Sequence, residues 1–200
     1  MSSIDRVLLL ITSLLAAYQI VVGIDKLSTA PIIAYTIAFG VLLVAALLLI
    51  ILGFEVLEAP IVVIISTIIP LSLSLGLVWD YLASYRTPYL LFALIGFAVV
   101  VLTRSIPVQN GPVPTVVLAI VHGVAGIMIF LLPIVISIQG HAKPLFSLVG
   151  IGGALIGIGG LLLSFLKTGK PILSRETIMR ILPGLLLLMT ACFVSGFKFG

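Results

Sequence analysis

The sequence predicts an all-α integral membrane protein, a bundle of about seven transmembrane helices joined by short loops. Two observations predict this class. Of the 200 residues, 62% are hydrophobic and only 8% are charged, whereas an ordinary soluble domain carries about 25% charged residues. Several apolar stretches also exceed the roughly 18 residues that indicate a transmembrane helix. We therefore expect one integral membrane domain over residues 1–200.

Prolines and charged residues divide the chain into spans. Proline is tolerated in the first turn of a helix, because the N–H that it lacks has no helical partner there, and several spans begin beside one. The spans are predicted at roughly 6–24, 31–54, 59–80, 88–104, 113–137, 144–166 and 178–197. Pro70 and Pro133 fall inside spans and are expected to kink them.

The segment GFEVLEAP, residues 53–60, places Glu55 and Glu58 in the middle of an apolar run from Pro31 to Trp79. That run is far longer than the roughly 20 residues of one membrane crossing. It must therefore form two helices with a turn near its middle. We interpret the two glutamates as residues of this turn in cytoplasmic water, not as a buried acid pair.

The charges favour one orientation. Basic residues are more frequent at cytoplasmic ends of spans, and the N-terminal side carries six of them, Arg6, Arg104, Lys167, Lys170, Arg175 and Arg180, against Lys26, Arg86, Lys143 and Lys198 on the other. This predicts a cytoplasmic N-terminus and an outward C-terminus, in a plasma membrane or an internal energy-transducing membrane. All five tyrosines and Trp79 map to the outward end. They are either interfacial anchors or the lining of a pocket or docking surface.

Three helical hairpins resemble one another, over residues 21–40, 75–97 and 135–153. Each leaves a span through a polar residue and re-enters through a proline that precedes an apolar run. Because the connectors lie on the same side, the pattern indicates a parallel repeat plus one extra helix, not an inverted repeat. Shared interfacial sequence preferences without duplication produce the same likeness.

His122 is the ionisable residue nearest the centre of a span, and such a residue is a functional hypothesis by default. The alternative is a neutral histidine that is hydrogen-bonded to a neighbouring helix, for example to Ser66 or Thr67. A haem with two histidine ligands is not expected, because His141 lies in an outward connector. Ser66 and Thr67 also precede Pro70 in a hydroxyl-rich span, which forms either a translocation path or a repaired kink.

Asp25, Asp80 and His141 are predicted to lie near the outward interface. Two carboxylates and an imidazole could bind a cation, or act as acid and base on a lipid headgroup. Their spacings match no metal motif, and Cys192, the single cysteine, offers no thiolate metal site. Alternatively, they are interfacial groups that pair with the basic residues of the same connectors, Lys26, Arg86 and Lys143.

The glycine-rich run GIGGALIGIGG, residues 150–160, lies inside a span and lacks a preceding strand, so it is no dinucleotide-binding motif. Small side chains recur on one helical face and predict a close packing surface for another helix, of this chain or of a partner protein. These residues are Gly153, Gly157, Gly160 and Ser164.

Two classes of function remain open from the sequence. The first is a non-enzymatic membrane protein, either a carrier of a small solute, ion or lipophilic substrate or an auxiliary or assembly subunit of a membrane complex. The second is an intramembrane enzyme that acts on a lipid or isoprenoid at the outward face. The expected partner is the lipid bilayer. The net charge of +4 is spread over many connectors, so no nucleic-acid partner is expected. No cofactor is evident, and a bound lipid, quinone or pigment stays open.

Overall fold

A computed structural model describes residues 1–24, 27–105, 113–167 and 172–200. Within these ranges the chain forms seven α-helices, each long and apolar enough to cross a membrane, and no strand. They are α1 (Ser3–Val22), α2 (Thr29–Leu52), α3 (Pro60–Tyr81), α4 (Arg86–Ser105), α5 (Val113–Ile138), α6 (Ser147–Lys167) and α7 (Arg175–Phe199). The predicted all-α membrane bundle is confirmed, and the protein is an integral membrane protein.

Local sequence explains several helix ends. Ser2 and Asp5 form a capping box at the start of α1, where the Ser2 hydroxyl accepts from the Asp5 N–H at 3.1 Å. Helix α7 begins at Arg175 because the Ser174 hydroxyl accepts from the Thr177 N–H. Both helices therefore begin before the spans predicted at 6–24 and 178–197.

The connector between α2 and α3 is a tight turn. Gly53 ends α2 with a φ of 75° and is followed by a short 3₁₀-helix, Phe54–Glu58, before α3 starts at Pro60. Glu55 is exposed in this turn. The long apolar run is thus divided where its two glutamates stand, although the side chain of Glu58 lies outside the described atoms.

Six helices form a closed ring, in which neighbours pack in the order α1, α2, α3, α5, α6, α7 and back to α1. Helix α4 lies outside this ring and packs against α3 and α5. The three resembling hairpins therefore do not occupy equivalent places, because α2 and α6 belong to the ring and α4 does not. The proposed duplication stays a prediction.

Large apolar side chains fill the centre of the ring. Phe39, Ile129, Met189 and Phe193 are at most 2% exposed and belong to one cluster that draws on α1, α2, α3, α5, α6 and α7. A smaller cluster joins α4 to α3 and α5 around Val121. Helices α3, α5 and α7 run through buried prolines at Pro70, Pro133 and Pro183.

Candidate functional site

One end of the bundle is rich in aromatic rings. We call it the tyrosine end; α1, α3, α5 and α7 end there, and α2, α4 and α6 begin there. The Phe197 ring lies 4.7 Å from Tyr35, 6.2 Å from Phe39 and 6.1 Å from Phe146, centroid to centroid. Tyr81 lies 5.4 Å from Phe146. These rings come from four different parts of the fold and hold this end together.

Tyr35 lies directly across Gly76 of α3. A Cβ at position 76 would collide with the Tyr35 ring, so only a glycine accepts the ring this close. Asp80 follows Gly76 by one helical turn on the same face of α3. Its carboxylate interacts electrostatically with the hydroxyls of Tyr35 and Tyr81. The packing of the Tyr35 ring thus places one phenol near the half-buried Asp80, and Tyr81, the next residue in sequence, supplies a second.

Arg86 is fixed beside Trp79. Its Nε donates to the Trp79 carbonyl oxygen at 2.6 Å, and its guanidinium lies 5.8 Å from the centre of the Trp79 ring. Arg86 also interacts electrostatically with Asp80. The expected pairing of Asp80 with Arg86 is thus present as an electrostatic interaction, while the hydrogen bond described for Arg86 goes to a backbone carbonyl.

An open, shallow depression of about 630 Å³ lies at the same end. Tyr81, Ser137, His141, Lys143 and Gly200 are among the residues that line it. Its shape is set by the connector after α5, where Gly140 has a φ of 75°. The His141 N–H donates back to the Ile136 carbonyl at 3.0 Å and closes the helix end in a Schellman-type turn.

Of the predicted set Asp25, Asp80 and His141, the structure describes two. Asp80 and His141 lie at the same end, and Tyr81 connects them, since it interacts with Asp80 and also lines the depression. Asp80 itself is not among the lining residues described for the depression. Asp25 lies outside the described residues.

His122 is partly buried in α5. Its Nδ1 lies 3.1 Å from the Leu118 carbonyl oxygen of its own helix. Ser66 and Thr67 both donate to the Val63 carbonyl, at 3.0 and 2.8 Å. The described hydrogen bonds of these three side chains therefore stay within their own helices, and the bond between α3 and α5 that was one alternative for His122 is not among them. With a proton on Nδ1, the Nε2 atom of His122 is the nitrogen left to accept another bond.

Other hydroxyls follow the same rule. Ser74 donates to the Pro70 carbonyl at 2.6 Å, and Thr190 donates to the Leu186 carbonyl at 2.7 Å. Thr12 and Ser13 of α1 do the same with Leu8 and Leu9. The buried hydroxyls of Thr12 and Ser13 were not predicted from the sequence, because only the hydroxyls of span three were considered there. A serine or threonine inside an apolar helix is itself a signal for a bond to the carbonyl four residues earlier.

Tyr89 differs from these groups. Its side chain is 8% exposed, and its hydroxyl has no hydrogen-bond partner among the described atoms. It lies close enough to the Ser74 hydroxyl to interact with it, but the geometry does not complete a hydrogen bond. Leaving a buried phenol without a complete hydrogen bond costs free energy.

The predicted glycine stripe is divided by the structure. A Cβ at Gly153 would meet the Ile129 side chain at 2.7 Å, so Gly153 packs against α5. One turn further, a Cβ at Gly157 or Gly160 would have no described atom within 4 Å. Of the predicted surface, Gly153 therefore packs against α5, and the use of Gly157 and Gly160 by a helix of a partner protein stays a prediction. The side chain of Ser164 lies outside the described atoms.

The opposing stretch of α5 is equally open. The helices are antiparallel and Gly153 meets Ile129, so Gly157 and Gly160 lie level with residues just before Ile129. Gly126 and Gly123 stand there, and a Cβ at either would also have no described atom within 4 Å. We call these four glycines the α5–α6 glycine gap. The fold thus leaves four glycines on α5 and α6 beside which a side chain would meet no described atom within 4 Å.

Among the described residues, no group of three His, Cys, Asp or Glu side chains could hold a metal ion. A second, smaller space near Gln19 and Tyr35 measures about 10 Å³, which is at most the room for one water molecule. Comparisons with protein-family models, curated proteins and solved structures find no match for this chain.

Proposed function

We propose that this integral membrane protein is a non-enzymatic auxiliary or assembly subunit of a membrane complex. The observation that supports this most is the packed centre of the ring. Phe39, Met189 and Phe193 fill it, each at most 2% exposed, and hydroxyls such as those of Ser74 and Thr190 bond to carbonyls of their own helices. Such an interior suits a rigid body that contacts others through its outer surface.

The same observation counts against the carrier, the other member of the non-enzymatic class. A carrier binds its substrate near the middle of the membrane, between helix groups that can move apart. In the described part of the bundle that region is occupied by apolar side chains, and the hydroxyls of Thr67 and Ser74 are bonded to the carbonyls of Val63 and Pro70. A solute would have to displace packed side chains at each step.

The α5–α6 glycine gap is the surface we assign to a membrane-protein partner. Glycines let two helices approach closely in lipid, where packing contributes more to association than apolar burial does. A Cβ at Gly157 or Gly160 would meet no described atom of this chain within 4 Å. A single partner helix lying along α5 and α6 would cover them.

Substitution in the gap tests this function. The double variant G157L/G160L adds bulk where no described atom is within 4 Å, so the fold is expected to persist. The control is G40L, a glycine in the middle of α2 that is equally open. Wild-type protein and both variants are extracted in mild detergent from their natural membrane, and the mass of each intact particle is measured.

If the protein is a subunit, the wild-type particle should contain one partner protein in stoichiometric amount. The G40L particle should keep this partner, and the G157L/G160L particle should lose it. A wild-type particle that contains only this chain, in detergent and after cross-linking in the membrane, would refute the subunit role. Solute flux into vesicles that hold the purified chain alone would instead support the carrier.

The second candidate is an enzyme that acts on a lipid or isoprenoid at the tyrosine end. It is favoured by the meeting of Asp80, Tyr81 and His141 at that end. D80A distinguishes the two candidates. An enzyme would lose turnover of lipid substrates in this variant, whereas a subunit would keep its partner, because Asp80 is remote from the glycine gap.

We also infer a cytoplasmic N-terminus from the excess of basic residues on that side. The test places single cysteines in a C192S background, at exposed Glu55 on the N-terminal side and at exposed Lys198 at the tyrosine end. A membrane-impermeant maleimide added to intact cells should label K198C and leave E55C unlabelled. The reverse pattern would invert the orientation.

A further inference from the structure

We propose that the depression at the tyrosine end binds the phosphate group of a membrane lipid. The depression is open, and polar residues from three elements line it: Tyr81 at the end of α3, Ser137 near the end of α5, and His141 and Lys143 in the connector to α6. This site is independent of the proposed subunit role, because the glycine gap lies elsewhere on the molecule.

The side chains around the depression suit a phosphate. Lys143 carries a positive charge, and the hydroxyl of Tyr81 and the ring of His141 are hydrogen-bond donors. Both His141 and Lys143 are exposed, so their polar atoms are available to a ligand. A phosphate oxygen accepts from such groups in charge-assisted bonds, which are shorter and stronger than bonds between neutral groups.

The connector holds these groups in place. The His141 N–H is bonded to Ile136, and the Lys143 carbonyl accepts from the Phe146 N–H at 3.0 Å and from the Ser137 hydroxyl at 3.3 Å. Their backbone positions are therefore fixed by the ends of α5 and α6. A preorganised site loses less conformational entropy when a ligand binds.

A lipid is favoured over a soluble anion by what surrounds the depression. Ile138 is 80% exposed and Leu145 is 51% exposed, so apolar surface borders the polar groups on both sides of the connector. Acyl chains can lie along this surface while the headgroup occupies the depression. Trp79 and Tyr85 stand at the same end, as expected for residues at a membrane interface.

Gly200, the last residue of the sequence, also lines the depression. Among acidic side chains, Asp80 interacts with the lining residue Tyr81. It also interacts with Arg86, which offsets its charge. The Tyr81 hydroxyl has one hydrogen to donate, either to Asp80 or to a phosphate. Lys143 therefore supplies the attraction that selects an anionic lipid, and Tyr81 supplies a single directional hydrogen-bond donor.

The test uses the full chain, purified in a neutral detergent, and measures lipid binding by native mass spectrometry. The probes are phosphatidylglycerol, phosphatidylcholine and inorganic phosphate. The variant is H141N/K143Q, and the control is K198Q, which removes one positive charge at the same end but outside the residues described as lining the depression. Both alter exposed side chains, and a thermal unfolding scan checks that each is folded.

Phosphatidylglycerol is expected to bind more tightly than phosphatidylcholine, and H141N/K143Q should bind it about fivefold more weakly, the effect of one basic residue at a membrane surface. K198Q should bind it as the wild type does. Equal binding by wild type and H141N/K143Q, or equal loss in K198Q, would overturn the proposal. If millimolar inorganic phosphate displaces phosphatidylglycerol, the site binds phosphate but its ligand is a free anion. If phosphatidylglycerol stays bound, the ligand is the lipid.

Discussion

The contact between Tyr35 and Gly76 makes a quantitative test of the fold. In G76A the new methyl group would collide with the Tyr35 ring, whose Cζ and Cδ1 atoms would lie 2.6 and 3.0 Å away. The ring cannot move aside freely, since Tyr35 is 3% exposed and packs against Phe197 at 4.7 Å. Overpacking of this kind destabilises a protein by about 1–3 kcal/mol.

A second effect opposes the collision. Alanine is a better helix former than glycine by about 1 kcal/mol, so G76A alone is expected to lower the free energy of unfolding by about 0–2 kcal/mol. A double-mutant cycle separates the two effects. Y35A removes the ring, and in that background G76A should stabilise the protein, so that the coupling between the two positions is about 1–3 kcal/mol.

The assay is reversible unfolding in mixed micelles with increasing denaturing detergent, followed by circular dichroism. G40A is the matched control, because a Cβ at position 40 would have no described atom within 4 Å. It should be neutral or slightly stabilising. If G76A is as stable as G40A and the cycle shows no coupling, then Tyr35 does not lie across Gly76 and the aromatic cluster is arranged differently.

Three further predictions use the same material. R86K loses the bond from the Arg86 Nε to the Trp79 carbonyl. Trp79 is the single tryptophan, so the fluorescence emission of the protein should shift. An unchanged spectrum would contradict the contact. H122L should alter the free energy of unfolding by less than about 1 kcal/mol, because the bond of His122 to Leu118 lies within one helix; a loss above about 2 kcal/mol would indicate a partner beyond α5. Y89F should be neutral or stabilising by about 1 kcal/mol, because it removes a buried hydroxyl without a partner; clear destabilisation would show that this hydroxyl is bonded.

The sequence predicts the helices well because each is specified locally. Apolar length defines a span, and proline or glutamate at a boundary marks where it ends, as Glu55 and Pro60 do between α2 and α3. The gathering of tyrosines at one end also follows from the alternation of spans. These features depend on the order of residues along the chain and not on how helices pack.

The sequence does not predict features that depend on helix rotation and separation. Gly153, Gly157 and Gly160 share a helical face, but periodicity does not say whether the neighbouring helix continues beside all of them. In the structure Gly153 meets Ile129 of α5, whereas a Cβ at Gly157 or Gly160 would have no described atom within 4 Å. Likewise, nothing local in Tyr35 or Gly76 indicates that they meet, because their contact depends on how α2 and α3 are turned toward each other.

The position of α4 shows the same limit. Its sequence resembles those of α2 and α6, with a proline near the start followed by an apolar run. Nevertheless it lies outside the ring, because α3 and α5 contact each other directly. Direct contact between spans that are not neighbours in sequence is a tertiary property. No local pattern in a single sequence indicates which such spans will pack together.

The closed ring has a consequence for biogenesis. Helix α1 packs against α7, so the ring cannot close until the last of the seven helices has left the ribosome and entered the membrane. Until then the side of α1 that is destined for α7 faces lipid or an insertion chaperone. A chain interrupted before Arg175 would keep six hydrophobic helices and still lack a closed interior, and we expect cells to recognise such a chain as unfinished and degrade it.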